Sequence, residues 1–150
     1  MHQVIAELKA TINDHILSLR SVSENEMISK PSPAKWSKKE ILGHLVDSAQ
    51  NNIRRFIVAQ YEDEPQISYN QDKWVSITNY QRYNLSDLIS LWYLLNLHIC
   101  AILENADAEA IQRKSRTDDL HTIQWLAVDY IKHLKHHIHQ VLDLEDVPYP

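Results

Sequence analysis

A single glycine, Gly43, occurs in the 150 residues of this chain. Hairpins, bulges and left-handed turns draw on glycine, whereas helix interiors are better without it. So little glycine predicts an all-α protein. The length is most simply one domain over residues 1–150, long enough to bury a core. The formal charge is -5 with histidines neutral, and no basic run exceeds two residues, as in Lys38-Lys39. That balance disfavours nucleic acid as a partner, since a nucleic-acid binder needs a basic face. The one cysteine, Cys100, excludes an intramolecular disulfide and fits a reducing cytoplasm. It lies in an apolar stretch and reads as a buried structural thiol. The start of the chain lacks the basic and apolar segments of a signal peptide. No apolar run approaches the roughly 20 residues of a membrane span. A cytoplasmic, soluble protein with no membrane partner is expected.

Four segments carry helical periodicity. The first covers about 2–22, with Val4, Ile5, Leu8, Ile12, Ile16 and Leu19 at spacings of three and four. Pro31 and Pro33 break the pattern after it. Ser37-Lys-Lys-Glu40 is a capping box and opens a second helix over about 38–60. Leu42, Leu45, Ala49, Ile53, Phe56 and Ile57 give its apolar face. A long connection of about 61–84 follows, with room for a short helix; connections of that length are often functional. Ser86 is expected to cap a third helix that runs to Asn105, with Asp87 in its first turn. A fourth helix over about 121–144 places Leu126, Tyr130, His133, His137, Val141 and Leu144 along one bundle seam. The pair Trp92-Tyr93 suits either the core or a subunit interface.

Two members of that last seam are histidines, where the pattern calls for apolar residues. Residues four apart on a helix share a face, so His133 and His137 project side by side. Each imidazole buried without a partner costs about 1–3 kcal/mol. A transition metal removes that cost by taking the lone pairs. The alternative is a polar layer satisfied by Asp129, Gln140 or Asp47. A third histidine from a neighbouring helix would complete a three-ligand site with room for water or substrate. The best candidate is His44. It follows Gly43, which lets its helix approach a neighbour or leaves space beside His44, at a helix cost of about 1 kcal/mol relative to alanine. Asp47, Ser48 and Asn51 lie on the same side of that helix and could orient a ligand or meet a substrate. They could equally form a polar flank. His136 and Gln140 are read as supporting groups beside the pair on the fourth helix. His2, His15, His98, His121 and His139 are expected to be solvated or hydrogen-bonded side chains.

These pieces, in order, resemble the DinB/YfiT-like superfamily. Trp36-Ser-Lys-Lys-Glu-Ile-Leu-Gly-His44-Leu-Val-Asp47-Ser48-Ala, continuing to Arg55-Phe56, is similar to its His-Leu-x-Asp-Ser helix start. Pro65 followed by Tyr69-Asn-Gln-Asp72-Lys-Trp74 is similar to the tyrosine and tryptophan loop of the YfiT-like branch. His133-Leu-Lys-His136-His137-Ile-His139-Gln140 matches the family's His-x-x-His-His ending.

The resemblance implies an up-down-down-up four-helix bundle with a long crossover connection, and metal ligation by His44, His133 and His137. Nickel, zinc or iron fits such a nitrogen set, because neutral imidazoles select poorly among them. It also implies a homodimer and a small-molecule substrate. The implied activity is a metal-dependent hydrolase or a thiol S-transferase, with a bound water or low-molecular-weight thiol as the activated group. Asp47 and His136 are the candidate general bases. The competing reading is a non-catalytic, metal-binding module for partner binding or stress response. A fourth ligand such as Asp47 or Asp129 would mark that closed, structural type of site. Two departures from the pattern, Gly43 in place of a second histidine and Lys132 in place of a tryptophan, fall on the pocket wall.

Overall fold

A computed structural model describes residues 1–149. In chain order the helices are α1 (His2–Ser21), α2 (Glu24–Ile28), α3 (Lys38–Val58), α4 (Gln71–Thr78), α5 (Leu85–Asn105) and α6 (Ile123–Val141). A small antiparallel pair, β1 (Lys114–Arg116) and β2 (Leu120–Thr122), leads into α6.

The four long helices form the bundle. Helix α5 packs against α1 and α3, and α6 packs against α3 and α1. The ring order is therefore α1–α5–α3–α6, and chain neighbours α1 and α3 sit diagonally. Lys9 pairs with Glu104 while Asn13 pairs with Tyr93, so α1 and α5 run antiparallel. His44 meets His137 while Ser48 meets His133, so α3 and α6 also run antiparallel. Glu7 reaches Lys135 and His15 meets His139, so α1 and α6 run parallel. The directions are up, down, down, up, as the resemblance implies.

The core is one continuous apolar cluster drawn from all four long helices. It includes Leu8, Ile12, Leu42, Leu45, Phe56, Trp92, Ile99, Leu126 and Leu134. Trp92 and Cys100 belong to it, while the Tyr93 hydroxyl donates to Asn13 at 3.0 Å. Ile57 and Leu144, assigned above to apolar faces, are exposed instead. Leu144 lies beyond the end of α6. Helix α5 is long and apolar enough to cross a membrane by composition, with a mean hydropathy of 1.5, which departs from the sequence expectation. In the bundle it lies against α1 and α3, with Asn96 fully buried and accepting from the Tyr130 hydroxyl at 2.7 Å.

The Ser37–Glu40 capping box forms as expected. The third helix starts earlier than expected: Asn84, not Ser86, caps it by accepting from the Asp87 amide. Asn is as good a cap as Ser, and the choice depends on where the preceding turn ends. Helix α6 starts at Ile123 with Thr122 as its cap, because the preceding residues pair as β2. The left-handed backbone positions fall on Glu64, Asn79 and Asp143. Asn and Asp tolerate that conformation through local hydrogen bonds.

Gly43 is fixed by a close approach. A Cβ built there would lie 2.1 Å from the Tyr80 ring. Tyr80 sits in a 3₁₀ turn within the long connection, and its hydroxyl donates to Asp47. The connection is thus pinned flat onto α3, one residue from His44.

Candidate metal centre

Helix α3 presents His44, and α6 presents His133 and His137 one turn apart. Their ligand-type nitrogens all lie within 4.8 Å of one another. His44 Nε2 and His133 Nε2 are 3.0 Å apart. Two nitrogens bound tetrahedrally at about 2.0–2.1 Å would be roughly 3.3 Å apart, so the spacing fits a shared metal. His137 completes a triangle of rings, with centroids 5.0 Å from His44 and 4.5 Å from His133.

The tautomer of His137 follows from its neighbours. Its Nδ1 donates to Gln140 Oε1 at 2.8 Å, which leaves the Nε2 lone pair for a ligand role. The Gln140 amide in turn donates to His136 Nε2 at 2.9 Å. His136 Nδ1 donates to the Val147 carbonyl at 2.6 Å. Ser48 Oγ lies 3.4 Å from His133 Nδ1. The Trp36 ring lies 5.1 Å from His44. His44 Nδ1 is buried without a hydrogen-bond partner. Nδ1 is the nitrogen turned away from His133, and such an atom carries a desolvation cost that a hydrogen-bonding ligand or a water relieves.

The triad is held neutral. Burial lowers His44 from 6.5 to about 4, assisted by His137. Burial, then His137 and His44, lower His133 to about 2. Burial, with His136, also lowers His137, against the hydrogen bond that it donates to Gln140. Neutral imidazole is the metal-binding form, so the donor set fits a divalent transition metal.

The same shifts set a stability trend for the metal-free chain. Below about pH 6.5 unfolded histidine gains a proton that the native triad refuses. Stability contributed by the triad is present above that pH and lost progressively as the pH falls towards 4. Asp47 acts with the opposite sign, since burial raises its carboxyl to about 6 against the Tyr80 hydrogen bond. Three histidines outweigh one carboxyl. We expect the urea midpoint of the apo protein to fall between pH 7.5 and pH 5. An unchanged or rising midpoint would mean that the triad is not held neutral.

Two concavities flank the triad. A groove of about 720 Å³ borders His137 and Gln140, with Trp36, Ile41 and Pro31 among its walls. A second cleft of about 350 Å³ borders His44, Ser48 and His133, with Asn52, Arg55, Tyr69, Asp129 and Tyr149 around it. Gln71, at the start of α4, lines both.

The structure sorts the sequence candidates. His44, His133 and His137 come together, Ser48 touches His133, and Gln140 bridges His136 and His137. Asp47 and Asn51 line neither concavity. Asp47 is turned towards Tyr80, and Asn51 donates to the Asp47 carbonyl at 2.9 Å. Among the described residues no fourth His, Cys, Asp or Glu joins the triad. Asp129 accepts from the Tyr149 hydroxyl at 3.0 Å. Asn52 and Tyr149 are cleft residues that the sequence does not single out; Asp129 is expected beside the histidine pair as a polar partner or fourth ligand and lines the cleft instead, and Arg55 and Tyr69 enter only as parts of a pattern. Their common signal is position: Asn52 and Arg55 continue the His44–Ser48 face of α3, and Asp129 lies one turn before His133.

Residues 6–141 match the model of the DinB superfamily. The chain belongs to that superfamily. Two relatives carry the name "Putative metal-dependent hydrolase". One, from Halalkalibacterium halodurans, is 27% identical over 83% of this chain and 73% of its own length. The other, from Bacillus mycoides, is 23% identical over 95% and 83%. Among solved structures, YfiT from Bacillus subtilis superposes on this DinB-superfamily chain with a TM-score of 0.83 at 20% identity, covering 95% of this chain and 83% of YfiT. A variant of a mycothiol-dependent maleylpyruvate isomerase gives 0.80 at 10% identity, covering 98% of this chain and 64% of the isomerase. These two likenesses establish the shared four-helix fold.

Proposed function

We propose that His44, His133 and His137 hold a divalent transition metal, nickel, zinc or iron, and that the protein is a metal-dependent hydrolase or thiol S-transferase. The observation that carries this reading is the convergence of three neutral imidazoles with no fourth protein ligand among the described residues. A set of that kind leaves a coordination position for an exchangeable ligand, whereas structural zinc sites are closed. Asp47 and Asp129, the residues that could have closed it, are engaged by Tyr80 and Tyr149. The metal would supply a lowered pKa to a bound water or thiol, giving a nucleophile near neutral pH.

The chain's own residues do the rest. Gln140 fixes the ring and tautomer of His137, and Ser48 stands beside the His133 ring. Trp36 packs beside His44. The two concavities offer separate room for a nucleophile and an electrophile. Neither Asp47 nor His136 is placed to act as a general base: Asp47 is buried and lines neither concavity, and Val147 and Gln140 occupy both ring nitrogens of His136. That arrangement favours a thiol, which needs less help than water to lose its proton. The relatives named as hydrolases and the mycothiol-dependent structural neighbour support the same pair of activities.

Cobalt substitution tests the open position. Adding 2-mercaptoethanol to the cobalt-loaded protein should produce a sulfur-to-cobalt charge-transfer band that EDTA abolishes. An unchanged spectrum with both thiol and azide would mean a closed site and would favour the non-catalytic reading. Gln140→Ala should weaken metal binding by roughly 10–100-fold, the usual effect of removing a group that orients a ligand. Equal affinity in that variant would show that the Gln140 bond does not support the site.

A further inference from the structure

We propose that the cleft between α3 and α6 binds a zwitterionic small molecule beside the histidine triad, its carboxylate on Arg55 and its ammonium on Asp129. This specifies a ligand class for the proposed site and rests on that reading for the metal alone.

Two opposite charges line this one cleft, yet they do not pair. Among the described residues no carboxylate comes within 4.0 Å of the Arg55 guanidinium. Arg55 is instead held by neutral groups: Nε donates to the Ile67 carbonyl at 3.0 Å and Nη1 to Asn52 Oδ1 at 3.3 Å. Those bonds aim a planar fork and leave Nη2 without a partner among the described residues. Asp129 is likewise held by a neutral group, the Tyr149 hydroxyl. Asp129 and Asp118 act on this half-buried guanidinium across the cleft without touching it, and a ligand carboxylate on its free edge would supply the direct contact that is missing.

The two elements place these charges together. Helices α3 and α6 run antiparallel, so Ser48 faces His133, and the next turns bring Asn52 and Arg55 towards Asp129. The separation of the charges by a cleft of about 350 Å³ suits a small dipolar molecule. Asp118, at the rim of the same cleft, adds a second negative charge. It disfavours a ligand bearing only carboxylates and favours one that also carries an ammonium group.

The test uses three related probes on zinc-loaded protein: L-serine, 3-hydroxypropionate, which lacks the ammonium, and ethanolamine, which lacks the carboxylate. Binding is followed by the indole resonance of Trp125, which lines the cleft. L-Serine should bind roughly tenfold or more tightly than either half-charged probe, one charged hydrogen bond being the difference. Arg55→Gln should weaken serine and 3-hydroxypropionate by about that factor and leave ethanolamine unchanged. Asp129→Asn should weaken serine and ethanolamine and leave 3-hydroxypropionate unchanged. Arg55→Lys, which keeps the charge and loses the fork, should fall between wild type and Arg55→Gln. No preference for serine, or loss of all three probes to the same extent in either variant, would overturn the proposal. The titration is repeated on metal-free protein. A crossed pattern there supports the cleft even if zinc stoichiometry, measured on the same samples, contradicts the metal reading. Full zinc without the crossed pattern overturns the cleft alone.

Discussion

His137→Ala lowers metal affinity by a hundredfold to a thousandfold while far-ultraviolet circular dichroism stays near that of the wild type. The magnitude follows from structural zinc sites, where four ligands together give about 10–16 kcal/mol, or roughly 2.5–4 kcal/mol for each. The fold should survive because His137 is only half-buried and packs against other rings of the site, not the apolar core. Loss of the ring also frees Gln140, whose remaining bond is to His136. The measurement is competition with a chromogenic chelator. An affinity within threefold of wild type would remove His137 from the ligand set.

Gly43→Ala destabilises the protein by roughly 2–4 kcal/mol, although alanine is the better helix former by about 1 kcal/mol. The added Cβ would stand 2.1 Å from the Tyr80 ring, so the ring must move. Overpacking of that kind costs about 1–3 kcal/mol. Moving Tyr80 also withdraws the hydroxyl from Asp47, whose other oxygen already lacks a partner. A buried carboxylate losing its last hydrogen bond adds about 1–3 kcal/mol. In a domain of this size the melting temperature should fall by roughly 5–15 °C. A double-mutant cycle isolates the cause: in a Tyr80→Ala background, Gly43→Ala should be neutral or stabilising. An equal penalty in both backgrounds would mean that contact with Tyr80 is not the reason for glycine at this position.

The bundle and the histidine triad were legible in the sequence for one physical reason. Both depend on spacing along helices, and spacing survives without tertiary information. The apolar faces of α1 and α6 emerge largely as periodicity predicts, and His133 and His137 stand out because they interrupt such a face. What depends on contact between distant segments was not legible. The role of Gly43 required knowing that Tyr80, 37 positions later in the sequence, lies on α3. Spacing alone places Asp47 on the His44 side of α3, and only the contact with Tyr80 shows that it turns away from the triad. The β1–β2 pair was missed because its turn, with the Thr117 amide bonded to the Asp119 carbonyl, uses no glycine. Arg55 and Asp129 are ordinary charges on two separate helices. Only the antiparallel packing of α3 on α6 makes them two walls of one cleft.

The proposed function stands on a transition-metal site built from His44, His133 and His137. It is tested most directly by elemental analysis of protein purified without an affinity tag, after incubation with nickel, zinc and iron in turn and removal of excess ion. About one metal per chain is expected in the wild type, because a neutral three-nitrogen set binds such ions tightly, and its loss is expected in His44→Ala. A wild type that retains none of the three metals, or a His44→Ala variant that retains a full equivalent, would contradict it.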